Sequence, residues 1–227
     1  MGAGSLINLH THTLYSDGDY TPEQIVGAAS KGHLTHIAIT DHFETSKVRS
    51  LRAPKFPEYL DLLRDLGRRY PDVKVLAGVE IDTDPRRCDL DNLPIDLLNQ
   101  LDLVLFEYVQ TDRGTTVEGL EPLLSQLKVP CGLAHNDLEM NFKDLSPPEL
   151  AEHLRGHGLF VEINTAWPYK RDGVPFYELA RDRYAAFRGR VKISVGTDVH
   201  HALSEVYSLE MPYRFVRRQG LEDDLLF

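Results

Sequence analysis

The chain has 227 residues, 42% of them hydrophobic and 26% charged, with a formal net charge of −10. That balance weighs against a stable nucleic-acid partner, since affinity for phosphate backbones comes from clustered Lys and Arg. No apolar run approaches the roughly 20 residues that a membrane-spanning helix needs.

Cys88 and Cys131 stand far apart with no CxxC spacing, so neither a disulfide framework nor a zinc ribbon is expected. The N-terminal residues lack the basic region and apolar stretch of a signal peptide, and Leu6 replaces the Ser or Thr that would make Gly2 a myristoylation site. A reduced, cytoplasmic setting is expected.

In chain order, the first apolar run, residues 6–9, reads as a strand and leads into His10, His12 and Asp17. A helix over 21–31 follows, opened by Thr21-Pro22-Glu23-Gln24 and closed by Lys31-Gly32. The second run, 36–40, delivers Asp41 and His42. The loop 43–55 then sets Lys47, Arg49, Arg52 and Lys55 against Glu44, a positive stretch able to draw in an anion.

An amphipathic segment spans 57–70, and the third run, 73–81, carries Glu80 and leads to Asp82. A short segment over 94–101 precedes the fourth run, 101–109, which holds Glu107. A helix over 117–127 leads to the fifth run, 131–134, and then to His135, Asn136 and Asp137. Ser146-Pro147-Pro148-Glu149 opens a helix over 147–156. The sixth run, 159–163, holds Glu162 and is followed by Asn164, and a helix is expected over 175–187. The last run, 191–195, leads to Asp198, His200 and His201.

Seven alternations of this kind imply a parallel sheet buried on both faces. No GxGxxG follows the first strand, so the open dinucleotide-binding sheet is disfavoured. The expected fold is a distorted seven-stranded (β/α)7 barrel of the α/β class, a single domain over residues 1–227. In such a barrel the C-terminal strand ends meet at one mouth, where active sites are built.

His10 and His12, two apart on a strand, point to the same face and can reach one ion. His33, His36, His153 and His157 fall at helix ends or strand starts and are given no role. So many ionisable groups at one mouth would be costly unless bound cations compensate them. The mixture of imidazole and carboxylate suits Zn, Mn or Fe.

The runs His-Thr-His-Thr-Leu-Tyr-Ser-Asp-Gly, Ile-Thr-Asp-His, Gly-Val-Glu-Ile, Ala-His-Asn-Asp and Gly-Thr-Asp-Val-His resemble the successive motifs of the PHP (polymerase and histidinol phosphatase) family, from Leu6 to His201. The resemblance implies a phosphoesterase with two or three divalent metal ions. One ion would take His10, His12, Glu80 and Asp198. A second would share Glu80 and add His135. A third would take Asp17, His42 and His200. The family's usual His at the end of the fourth strand is missing, and Glu107 is the expected substitute.

The stretch Val-Glu-Ile-Asn-Thr-Ala-Trp followed by Lys170 and Arg171 is similar to the histidinol-phosphatase branch, which implies that these two cations grip a substrate phosphate. The expected activity is a phosphomonoesterase on a small phosphorylated metabolite, such as L-histidinol phosphate. A hydroxide bridging two metals would attack phosphorus, and Asp17 or His200 would supply the leaving-group proton through a bound water. Trp167, Tyr169 and Tyr108 are expected near the mouth, where any of them can stack on a ring. Two other readings accompany this one: a phosphodiesterase or exonuclease, and a non-catalytic PHP module. The absence of an extended basic, aromatic-interleaved strip favours a small substrate over the first of them. The filled ligand positions weigh against the second.

Overall fold

The computed structural model describes residues 5–227, so the N-terminal reading of Gly2 lies outside the described residues. Among those residues, seven parallel strands follow one another in a single sheet: β1 (Ile7–Asn8), β2 (His36–Ile39), β3 (Lys74–Asp82), β4 (Leu103–Glu107), β5 (Cys131–Leu133), β6 (Leu159–Asn164) and β9 (Ile193–Gly196). The short strands β7 (Lys170–Arg171) and β8 (Val174–Pro175) form a separate antiparallel hairpin.

The sheet curls until its edges meet. Leu9 N donates to Val195 O at 2.7 Å, Asp198 N to His10 O at 2.9 Å and His12 N to Val199 O at 3.1 Å, which joins β1 to β9. The barrel is therefore nearly closed, as expected. Closure also leaves few exposed strand edges.

The strands form because apolar residues fill both faces. Ile7, Ile37, Val79, Val104, Leu133, Val161 and Val195 are fully buried. Each such side chain contributes roughly 1.5–3 kcal/mol by leaving water. Gly132 in β5 is set by packing: a Cβ there would overlap the Phe160 ring.

Around the barrel run α1 (Pro22–Lys31), α2 (Phe56–Arg69), α3 (Ile95–Leu98), α4 (Val117–Leu124), α5 (Leu138–Asn141), α6 (Pro147–Gly156), α7 (Phe176–Leu179), α8 (Arg181–Phe187) and α9 (Glu210–Gln219). Helix α1 begins on a capping box, in which Gln24 N donates to Thr21 Oγ1 at 3.2 Å and Thr21 N to Gln24 Oε1 at 2.9 Å. None of the helices among the described residues is long and apolar enough to cross a membrane.

Two features depart from the sequence expectation. The single helix expected over 175–187 is instead the end of β8 followed by α7 and α8, broken at Ala180. The hairpin before it turns on Asp172 (φ 54°) and Gly173 (φ 79°), the left-handed pair that a tight two-residue hairpin requires. Helix α9 was not anticipated. It buries Tyr213, Phe215 and Val216 and ends on Gly220 in the left-handed region, φ 66°. Tyr213 Oη accepts from Ile7 N at 2.6 Å, tying this last helix to the start of the first barrel strand.

Candidate metal centre

The strand ends bring all nine expected ligands to one mouth. His10 is fully buried, with Nδ1 2.9 Å from Glu162 Oε1 and Nε2 3.0 Å from His12 Nε2. His12 Nε2 in turn lies 2.9 Å from Asp198 Oδ1 and 3.4 Å from Glu80 Oε2. Glu80, at the heart of the cluster, is approached by His42 Nδ1 at 3.1 Å on Oε2 and by His135 Nε2 at 2.9 Å on Oε1. His200 Nε2 is 3.3 Å from Asp17 Oδ1.

Four groups of three or four residues each offer ligand atoms within 4.8 Å of one another: His12, Asp17, His42 and His200; His10, His135 and Asp198; His10, His12 and Glu80; His42, Glu80 and Glu107. Asp17, His42 and His200 thus converge as the motif placement implied. Glu107 and His135, the two candidates for the second ion, fall in different groups.

The residues fit divalent cations by their hydrogen bonding. His10 Nδ1 is held by Glu162, and His200 Nδ1 is 2.8 Å from the carbonyl of Asp198. Ser16 Oγ gives its proton to Asp41 Oδ1 at 2.6 Å, so it accepts from His12 Nδ1 at 3.4 Å. In each of these three rings the outer nitrogen has an acceptor, which directs Nε2 to the centre, the arrangement found around bound metals. Asp17 Oδ1, His42 Nδ1, Glu107 Oε1 and Asp198 Oδ1 are buried side-chain atoms without a hydrogen-bond partner. Unpartnered buried polar atoms cost about 1–3 kcal/mol each, and Asp17, His42 and Asp198 belong to groups whose ligand atoms surround spaces that cations would fill.

Backbone conformation reinforces the point. His135 (φ 33°) and Asp198 (φ 51°) sit in the left-handed region, a conformation costing of order 1–3 kcal/mol that is typical of functional sites. Each is held by its own amide: His135 N donates to Glu162 Oε2 at 2.7 Å, Asp198 N to His10 O.

Charges are strongly coupled across the site. Burial opposes ionisation of Glu80, yet the rings of His10 and His42 hold its carboxyl well below the usual range. Asp17 and Asp198 are likewise held low, against burial, by neighbouring imidazoles. Burial pushes His42 down to about 3, so its ring is neutral and able to ligate. Burial and the nearby Glu80 push Glu107 up to about 7 despite the Lys47 ammonium.

Two carboxylates outside the expected ligand set organise it. Glu162 holds both His10 and His135. Asp41 accepts from Thr13 N at 2.7 Å, Thr13 Oγ1 at 2.7 Å and Ser16 Oγ, fixing the loop that presents Asp17. Both stand at strand ends within the quoted motifs, which was the available signal.

A cavity of about 390 Å³ opens over the centre, lined by Asp17, His42, Glu80, Asp198 and His200 below and by Trp167, Tyr169 and Lys47 at its walls. The Tyr169 ring stacks on His135 at 3.9 Å. Of the four cations in the 43–55 loop, Lys47 lines this cavity, whereas the others are engaged elsewhere. Arg49 binds the carbonyl of Leu14, Arg52 pairs with Glu44 and Lys55 with Glu58. Lys170 lines a neighbouring depression beside Trp167, and Arg171 pairs with Asp137 at 2.7 Å.

The model of the PHP domain family matches residues 8–128, more than half of the chain. Over 100 residues the chain is 30% identical to the DNA polymerase/3′-5′ exonuclease PolX of Bacillus subtilis, covering 43% of this chain and 17% of that protein. Over 158 residues it is 26% identical to the uncharacterized protein MJ1295 of Methanocaldococcus jannaschii, covering 70% of this chain and 67% of that one. The chain therefore spans a small part of the polymerase and about two thirds of the archaeal protein. Its fold is similar to that of a histidinol phosphate phosphatase from Lactococcus lactis, solved with zinc, L-histidinol and phosphate. The TM-score is 0.64 at 17% identity, over 95% of this chain and 94% of that one.

Proposed function

The chain belongs to the PHP domain family, and from that membership we propose a metal-dependent hydrolase of phosphate esters, acting as a phosphomonoesterase on a small phosphorylated metabolite. The observation that carries the reading is the set of unpartnered, buried ligand atoms converging beneath an open cavity at the barrel mouth. His10, His12, Glu80 and Asp198 would hold one divalent ion, and Asp17, His42 and His200 another, with His135 on the other oxygen of Glu80 and Glu107 beside His42. When bound, such ions (Zn, Mn or Fe) supply an ionised water near neutral pH and neutralise charge on the attacking and leaving oxygens.

The chain's own groups do the rest. Glu162 and the Asp41–Ser16 pair orient the imidazoles, so the ligands need little rearrangement. Asp17 Oδ1 and His200 Nε2 lie 3.3 Å apart among the groups lining the cavity, where a water held beside either one can pass a proton to a departing alkoxide. Arg171 spends Nη1 on Asp137, leaving the other edge of its guanidinium to donate to a phosphate. Lys170 precedes it on the same hairpin as the second proposed phosphate contact. Tyr169 and Trp167 wall the cavity with rings on which an aromatic leaving group can stack. The size of the cavity favours a small ester, and the fold likeness to a histidinol phosphate phosphatase supports L-histidinol phosphate as the first candidate. A cytoplasmic setting is part of the same proposal.

The 30% identity to a polymerase/exonuclease over 100 residues favours a second reading, hydrolysis of a phosphodiester in a nucleotide or single strand. A substrate panel with added Mn or Zn separates the two. Turnover of p-nitrophenyl phosphate and L-histidinol phosphate, with slower hydrolysis of bis-p-nitrophenyl phosphate and of a single-stranded oligonucleotide, is expected. The reverse order would establish the diesterase, and no hydrolysis of any of them would leave a non-catalytic module.

A further inference from the structure

At the end of β4, where the family motif leads one to expect another imidazole, the structure has an ion pair. Lys47 Nζ lies 2.7 Å from Glu107 Oε2, and Glu107 is buried. The other carboxylate oxygen, Oε1, faces His42 Nδ1 at 3.5 Å, within the His42, Glu80 and Glu107 ligand group. The lysine is built into this position. Its own amide donates to Thr45 Oγ1 at 3.0 Å, and Thr45, fully buried, donates to Asp82 Oδ2 at 3.1 Å. Ser46 N donates to the carbonyl of Arg87 at 3.0 Å, and the ammonium sits 5.0 Å over the Tyr108 ring. An ammonium fixed on one carboxylate repels any divalent ion brought to that same carboxylate, and the repulsion is strong where water is excluded. The remaining three ligand groups contain no carboxylate paired to a lysine or arginine.

We propose that the Lys47 ammonium, anchored on Glu107, replaces a metal ion on the β4 side of the centre, so that this protein binds two divalent ions and carries its third positive charge on a side chain. The proposal rests on the metal-dependent reading above. It also gives Lys47 a place in the cavity wall from which a phosphate oxygen can be reached, with a single charge and ammonium geometry in place of a Lewis acid.

The test is metal stoichiometry, independent of turnover. Protein equilibrated with excess Zn or Mn, freed of loose ions and analysed by elemental analysis and native mass spectrometry should carry two ions per chain. Lys47→Met, which keeps the length and removes the charge, should carry three, and Lys47→Arg should stay at two. Three ions in the unaltered protein would overturn the proposal, as would an unchanged number in Lys47→Met. Should Lys47→Met fail to fold, Glu107→Gln decides: the same number as the unaltered protein supports the proposal, and loss of one ion shows that Glu107 is a ligand after all. Absence of bound metal in every form would instead refute the hydrolase reading itself.

Discussion

Glu162 and His10 meet at 2.9 Å, carboxylate Oε1 to ring Nδ1, over β9 from β6 to the end of β1. Gly196 makes the contact possible. A Cβ at that position would overlap Glu162 Oε1 and come within 2.5 Å of His10 Cβ. The other oxygen of Glu162 holds the amide of His135. One carboxylate therefore sets two proposed ligands, one through its ring and one through its strained backbone. Removing it by Glu162→Ala should weaken metal binding about 10- to 100-fold, the usual cost of losing a partner behind a ligating imidazole. Glu162→Gln should be milder, because an amide oxygen still accepts from Nδ1. Competition with a chromophoric chelator measures this, and an unchanged affinity in Glu162→Ala would remove the orienting role.

Glu80 and Glu107 differ in what surrounds them. Glu80 has His10, His12, His42 and His135 nitrogens within 3.5 Å, whereas Glu107 pairs chiefly with Lys47. Glu80→Gln should therefore lose at least one bound ion per chain and lower kcat/KM by roughly 100-fold or more, equivalent to about 3 kcal/mol of transition-state stabilisation. Glu107→Gln should keep the metal number and lose less. Equal metal content and activity in Glu80→Gln and the unaltered protein would remove Glu80 as the bridge.

The barrel and most of the centre were legible because both rest on local, periodic signals. Apolar runs such as 6–9, 36–40 and 131–134 stop directly before a His or Asp, and parallel topology then brings those ends together. Partnership was not legible. Nothing adjacent in sequence says that Lys47 crosses to Glu107, sixty positions away, or that Glu162 reaches His10. Such pairs depend on which side chain fills a given gap, which only packing decides. The hairpin at Asp172-Gly173 carried a readable turn signal that the helical pattern after it obscured. Helix α9 lay beyond the last motif, and its role in capping β1 through Tyr213 is tertiary.

Metal affinity should depend on pH through His200. Burial disfavours its charged ring, but the neighbouring carboxylates of Asp17 and Asp198 outweigh that and raise it to about 9. At neutral pH the ring is then protonated, and only the neutral imidazole can ligate. Binding at the Asp17, His42 and His200 group must displace that proton, so affinity should rise with pH up to about 9 and fall as pH is lowered. Calorimetry in two buffers of different ionisation enthalpy should register proton release at pH 7, and the release should shrink in His200→Ala. A dissociation constant that is flat from about pH 6 to 9 would take His200 out of the ligand set.

Arg171 separates a substrate contact from a surface ion pair. Its side chain is about one third exposed and bound to Asp137, whose carboxylate also caps α5 by accepting from Met140 N at 3.2 Å. An exposed pair of this kind is worth no more than about 1 kcal/mol of stability, so Arg171→Ala should fold normally and keep its metals. If the free edge of the guanidinium grips the ester phosphate equally in ground and transition states, its loss raises KM and leaves kcat nearly unchanged. A charge-assisted contact is worth about 1.5–3 kcal/mol, so kcat/KM should fall roughly ten- to a hundredfold. Lys170→Ala should do less, since its more exposed ammonium offers a point charge rather than a fork. Steady-state kinetics with metal content measured in parallel decides the matter. Unchanged constants in both variants would leave Lys47, the cation already in the cavity wall, as the group that meets the phosphate.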